Sequence, residues 1–193
     1  MNQDIGRAIV FSMPVVSAAV SLILISLDTT RSSNTVDRKI HYNMIAVYCL
    51  MILFWSGLVM HSIARDTFIA YLPVFFSSFA FIPVFLYRIT HIITDTGERK
   101  LFPACHFILP ACLTLIICAI ALAVPLRQRW AAIYDNEVNL TSAIIDITFI
   151  VCILLCILYS WLSLLRIKSY KRKIIDYSAD IYRMSLDWLS FII

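Results

Sequence analysis

Thr141–Leu165, TSAIIDITFIVCILLCILYSWLSLL, is the stretch that decides the fold. It holds one charged residue, Asp146, in a run otherwise dominated by Ile, Leu, Val and Cys. A helix rising about 1.5 Å per residue crosses a hydrocarbon layer of roughly 30 Å in about 20 residues, so this run is long enough to span one. Its centre, Ile144–Leu158, does not alternate polar with apolar, as a strand of a membrane barrel must. Backbone groups in lipid have to be satisfied within their own segment, and an unalternating apolar run does that only as a helix.

Four further runs read the same way: Ile9–Leu27, Met44–Ile63, Phe68–Tyr87 and Ala104–Leu126. The first could pass for a secretory signal, with Arg7 ahead of it and Ser17-Ala18-Ala19 within it. It continues apolar to Leu27, longer than a signal core, and reads as a retained span. The whole chain is 61% hydrophobic and 15% charged. Its mean hydropathy of +0.86 does not suit a soluble domain, which needs a polar surface. The expected fold is all-α, a polytopic bundle of five complete spans in residues 1–165, with a lipid bilayer as its first partner.

Charge gives an orientation. Twelve of the sixteen Lys and Arg residues fall on one side of these spans: Arg31, Arg38, Lys39, Arg88, Arg99, Lys100, Arg166, Lys168, Lys171, Arg172, Lys173 and Arg183. The other side holds only Arg7, Arg65, Arg127 and Arg129. Basic residues favour the cytoplasmic side, which puts the N-terminus outside; the membrane itself is expected to be a bacterial inner membrane. The connections follow from the spans. Ala64–Thr67 is a tight outer turn, Asp28–Asn43 and Arg88–Pro103 are inner loops, and Arg127–Leu140 is the sizeable outer loop.

Span three is crowded with Phe and Tyr and broken by Pro73 and Pro83; Pro14, Pro110 and Pro125 interrupt others. Proline kinks a spanning helix and frees a carbonyl that something else must satisfy. The six cysteines form no CxxC pair and read as small apolar residues.

After span five, Ile167, Tyr170, Ile174, Tyr177, Ile181, Met184 and Trp188 recur at alternating steps of three and four, an a/d stripe. Arg166, Lys168, Lys171, Arg172 and Lys173 stand around its start. Residues 166–183 therefore read as a basic amphipathic coupling helix. Residues 167–188 are suited to pairing with a second copy or a partner helix, and the basic residues to contacting anionic headgroups. Residues 184–193 turn apolar again and read as a partial sixth span or an interfacial anchor.

Chemistry-bearing motifs are scarce. The sequence shows no nucleotide loop, zinc motif or paired catalytic carboxylates, so neither an enzyme nor a bound cofactor or metal is expected. Intramembrane ionisable groups are the remaining candidates: Asp146 and His61 toward the outer side and His106 toward the inner. Asp146 and His61 could form a ligand- or proton-sensitive pair, or both could simply reach the solvated interface.

The segment RIKSYKRKIIDYSADIYRMSLDWL, Arg166–Leu189, resembles the junction in membrane-bound regulators of Bacteroidetes. In those proteins a multi-span half precedes a cytoplasmic AraC-type helix-turn-helix domain. The resemblance implies a sensor half that relays a signal. It also implies that this chain, without the DNA-binding domain, binds no nucleic acid itself and is a truncated regulator. The expected function is thus a membrane signalling or sensor module. Alternatives from other classes are a small transporter or permease component, and a non-catalytic membrane assembly protein.

Overall fold

A computed structural model describes residues 2–31, 35–94, 102–135 and 139–177. The elements are α1 (Asn2–Arg31), α2 (Thr35–Ile63), α3 (Arg65–Ile93), a 3-10 turn (Ala104–Phe107) leading into α4 (Ile108–Ala123), α5 (Leu126–Tyr134) and α6 (Leu140–Tyr177). Among the described residues there is no strand. Five stretches are long and apolar enough to cross a membrane: Asp4–Thr30, Val36–Ile63, Arg65–Ile93, Ala104–Ala123 and Leu140–Arg172. The chain is an all-α bundle of the integral-membrane class.

The helices mostly overrun the apolar runs. The segment expected as an inner loop, Asp28–Asn43, is largely helical, since α1 continues to Arg31 and α2 starts at Thr35. Asp37 lies in the first turn of α2, where a carboxylate complements the helix dipole. Asn43 donates from Nδ2 to the Lys39 carbonyl one turn back. Likewise α3 runs past Arg88 to Ile93. A single residue, Ala64, joins α2 to α3, which makes them antiparallel neighbours.

The fourth run ends earlier than its hydropathy suggests. Pro125 disfavours helical backbone at the residue before it, and Val124 is extended at φ −102° and ψ 126°. The chain then turns into α5, so the expected outer loop Arg127–Leu140 is mostly a short helix. The start of α6 is held by a reciprocal cap. Asn139 Oδ1 accepts from the Ser142 N–H at 2.9 Å, and Ser142 Oγ accepts from the Asn139 N–H at 3.1 Å.

Helix α3 is the hub. Phe68, Leu72, Phe75, Phe76, Ala80 and Val84 recur at helical spacing along its buried face. That stripe packs with Leu113 and Ile117 of α4 and with Cys152, Leu155 and Tyr159 of α6. On its other flank α3 packs against α2, and α2 against α1. The Phe-rich sequence of α3 is thus packing surface: Phe75 meets Phe54 at 5.0 Å between ring centroids, Phe68 at 5.5 Å and Phe76 at 5.4 Å. Gly57 lets α2 come this close, because a Cβ there would stand 2.6 Å from Phe75 Cδ2.

Along α6 the buried positions are Thr148, Cys152, Leu155, Tyr159, Ser163 and Ile167. The apolar stripe that begins at Ile167 in the sequence is therefore the tail of the core stripe of α6. Ile167, only 3% exposed, is spent on packing within this chain.

Candidate functional site

Polar and aromatic side chains gather at the two ends of the bundle. One end holds the start of α1, the α2–α3 turn, α5 and the start of α6; the other holds the end of α3, the 3-10 turn and the later part of α6.

At the first end the organising residue is Arg129, 7% exposed. Pro73 has no N–H to give the carbonyl of Ile69, four residues back in α3. A guanidinium nitrogen of Arg129 donates to that carbonyl at 3.0 Å. Its Nε donates to the carbonyl of Val124 at 3.1 Å. One side chain therefore completes the broken ladder of α3 and the break before Pro125, and it fastens α5 across the bundle end.

Tyr134, the last residue of α5, stacks on His61 at 5.5 Å and lies tilted against Trp130 at 4.6 Å. The Arg65 guanidinium lies 5.2 Å from the Tyr134 ring centroid, within cation–π range. The Tyr134 hydroxyl is buried with no hydrogen-bond partner. Burial pushes this phenol up from its ordinary range, Arg65 pulls the other way, and the carboxylate of Asp66 adds to the rise. His61 also meets the edge of Phe68 at 5.0 Å.

At the opposite end a second proline is served in the same manner. Residue 110 is proline, so the His106 carbonyl lacks its helical donor. The Tyr159 hydroxyl of α6 donates to it at 3.3 Å and lies 3.1 Å from His106 Nδ1. Phe102, His106, Tyr87 and Tyr159 form one ring cluster, with Phe102 to His106 at 5.0 Å and Tyr87 to Tyr159 at 5.6 Å. Buried His91 joins at 5.5 Å from Phe102. The Arg88 guanidinium lies over Phe102 at 5.9 Å. One turn further out, Arg166 Nε donates to Thr94 Oγ1 at 2.7 Å, which ties the end of α3 to α6.

The sequence candidates therefore divide. His106 lies inside a built cluster. His61 lies against Tyr134 and Phe68, whereas Asp146 stands on an exposed face of α6. Arg166 is engaged with Thr94, while Lys168 and Arg172 are exposed and Lys171 is half-buried. Ile167 is buried and Tyr170 half-buried. Ile174, Tyr177 and Lys173 belong to α6, but their side chains, like Ile181 and the segment 184–193, lie outside the described residues.

Arg129, Tyr159 and His91 escape a sequence reading, because nothing local separates Arg129 from the exposed Arg127 two residues earlier. The prolines are a partial signal. Each announces a carbonyl four residues upstream in need of a donor, without saying which side chain will supply it. Among the described residues no group of His, Cys, Asp or Glu could hold a metal ion.

Fold and sites together define a polytopic α-helical membrane bundle with braced, proline-broken helices. No family model, no curated protein and no solved structure matches the chain.

Proposed function

We propose that this protein is a membrane signalling module, set with its N-terminus outside in a bacterial inner membrane, in which movement of α3 within the bundle is passed to α6. The observation that carries this reading is the bond from Arg166 to Thr94 on a helix that does not stop at the membrane. Helix α6 is 38 residues long, about 57 Å at about 1.5 Å per residue. That is well beyond a hydrocarbon core of roughly 30 Å. The buried stripe of α6 leads into the sequence stripe Tyr170, Ile174 and Tyr177. A shift at α3 would therefore reorient a projecting helix, a shear-type output.

The basic residues around that projection support its place on the cytoplasmic side. The likeness of Arg166–Leu189 to the junction of membrane-bound AraC-type regulators supports a relay as its role. The basic residues Lys168, Lys171, Arg172 and Lys173 would bear on anionic headgroups, and the stripe on a second copy or a partner helix.

The test is a dimerisation-dependent transcription reporter fused after Ile193 of the full chain and expressed in a bacterial inner membrane. The expected result is reporter activity that falls at least fivefold with Ile174→Asp or Tyr177→Asp and changes with Thr94→Val. A signal indifferent to all three substitutions, or none at all, would overturn the relay.

A further inference from the structure

A hollow of about 370 Å3 opens between the start of α3 and the start of α5, lined by Asp66, Ile69, Leu126, Arg127 and Trp130. Small-ligand sites usually begin near roughly 300 Å3, so the space is adequate for a small molecule or a lipid headgroup. Its chemistry is bipolar. Asp66 brings a carboxylate and Arg127 a guanidinium, while the Trp130 indole offers both an apolar face and a surface for cations. The two charges do not neutralise each other: neither has an ion-pair partner among the described residues. An anion alone would meet the field of Asp66, and a cation alone that of Arg127. A molecule bearing both charges satisfies both walls at once.

The hollow is also braced. Ile69, on its floor, is the residue whose carbonyl receives Arg129, and Arg129 lies between Arg127 and Trp130 on the same short helix. The Arg129 bond, made where Pro73 leaves the Ile69 carbonyl free, thus fixes floor and roof relative to one another.

We propose that this hollow binds a zwitterion, its ammonium group toward Asp66 and Trp130 and its acidic group toward Arg127. Two sources share that chemistry: a phosphatidylethanolamine headgroup from the adjoining leaflet, and a free aminophosphate or amino acid. The assignment goes beyond the signalling reading, because binding here stands on the hollow alone and is measured without any output from α6.

The experiment is native mass spectrometry of the full chain in detergent. Phosphatidylethanolamine and the purely anionic phosphatidylglycerol are offered in turn, followed by the deacylated headgroup glycerophosphoethanolamine. Wild type should retain phosphatidylethanolamine at least fivefold better than phosphatidylglycerol; Asp66→Asn should abolish that preference, and Arg127→Gln should lower retention of both lipids at least fivefold. Both side chains are exposed, and both variants keep the Arg129 brace, so unchanged melting curves serve as the folding control. If glycerophosphoethanolamine binds alone with the same dependence on both residues, the ligand is soluble; if only the intact lipid binds, it is the headgroup. Equal retention of both lipids with no effect of Asp66→Asn overturns the proposal in favour of a plain anion contact. No retention of any of the three overturns it outright.

Discussion

The guanidinium of Arg129 donates to the main-chain carbonyl of Ile69 at 3.0 Å, in place of the N–H that Pro73 lacks. A proline-interrupted helix and a short surface helix therefore depend on one another. The same arrangement recurs at the far end, where Tyr159 serves the His106 carbonyl ahead of Pro110. In a bundle with little water to satisfy freed carbonyls, a donor from a neighbouring element takes over the task.

Arg129→Gln should lower stability by about 2 kcal/mol, the scale of a hydrogen bond from a charged donor. The cost should shrink by about half in a Pro73→Ala background, where the N–H of residue 73 can serve Ile69 directly. Thermal unfolding of the four proteins of this cycle in detergent checks it. Additive losses would mean that Arg129 acts through something other than the carbonyl that Pro73 leaves free.

Tyr159→Phe keeps the ring of the inner cluster and removes its hydroxyl, leaving the His106 carbonyl and Nδ1 without that partner. A loss of about 1 kcal/mol is expected. The check is the same unfolding assay, together with faster hydrogen exchange in the first turn of α4. A melting curve and exchange pattern identical to wild type would show the bond to be idle.

Gly57→Leu should separate α2 from α3. Its Cβ alone would stand 2.6 Å from Phe75 Cδ2, and Phe75 cannot swing away easily because Phe54, Phe68 and Phe76 surround it. Overpacking of this kind costs roughly 1–3 kcal/mol. Gly57→Ala should cost less, because the helix propensity gained, about 1 kcal/mol, offsets part of the clash. Cysteine cross-linking between α2 and α3 in membranes would report the separation.

Tyr134→Phe should be neutral or stabilising at pH 7, since it removes a buried hydroxyl with no partner. Its advantage should widen at alkaline pH. Burial raises the folded phenol above its ordinary value, so the stability tied to the neutral form is fully present below about pH 10. Above that the unfolded chain ionises first, and this stability is lost as pH rises toward the folded value. Melting temperatures of both proteins from pH 7 to 11 test the sign, and a gap that stays constant across the range would refute it.

Much of the architecture is legible in the sequence. The five apolar runs and the tight turn at Ala64 follow from segment composition alone. The boundaries are less so. Asp28–Asn43 and Arg127–Leu140 look like loops by polarity, yet both are largely helical, since polar residues beyond the apolar run can still satisfy their backbone as helix. Of the candidate polar residues, His106 falls in a built cluster because its partner Tyr159 is buried on the facing helix. Asp146, equally conspicuous in sequence, faces outward, because its neighbours Ile145 and Thr148 take the inward positions on that turn.

The sequence by itself determined that this chain is a helical membrane bundle, because transfer of an apolar segment into lipid and the closing of its own hydrogen bonds are properties of each segment taken alone. Only the tertiary structure decided which side chains repair the proline breaks, which charges face each other across a hollow, and where α3 is tied to α6. Those partners lie 60, 53 and 72 residues apart for Arg129 with Ile69, Tyr159 with His106, and Arg166 with Thr94. A side chain's reach is a few ångströms, so such pairs exist only once the helices have packed.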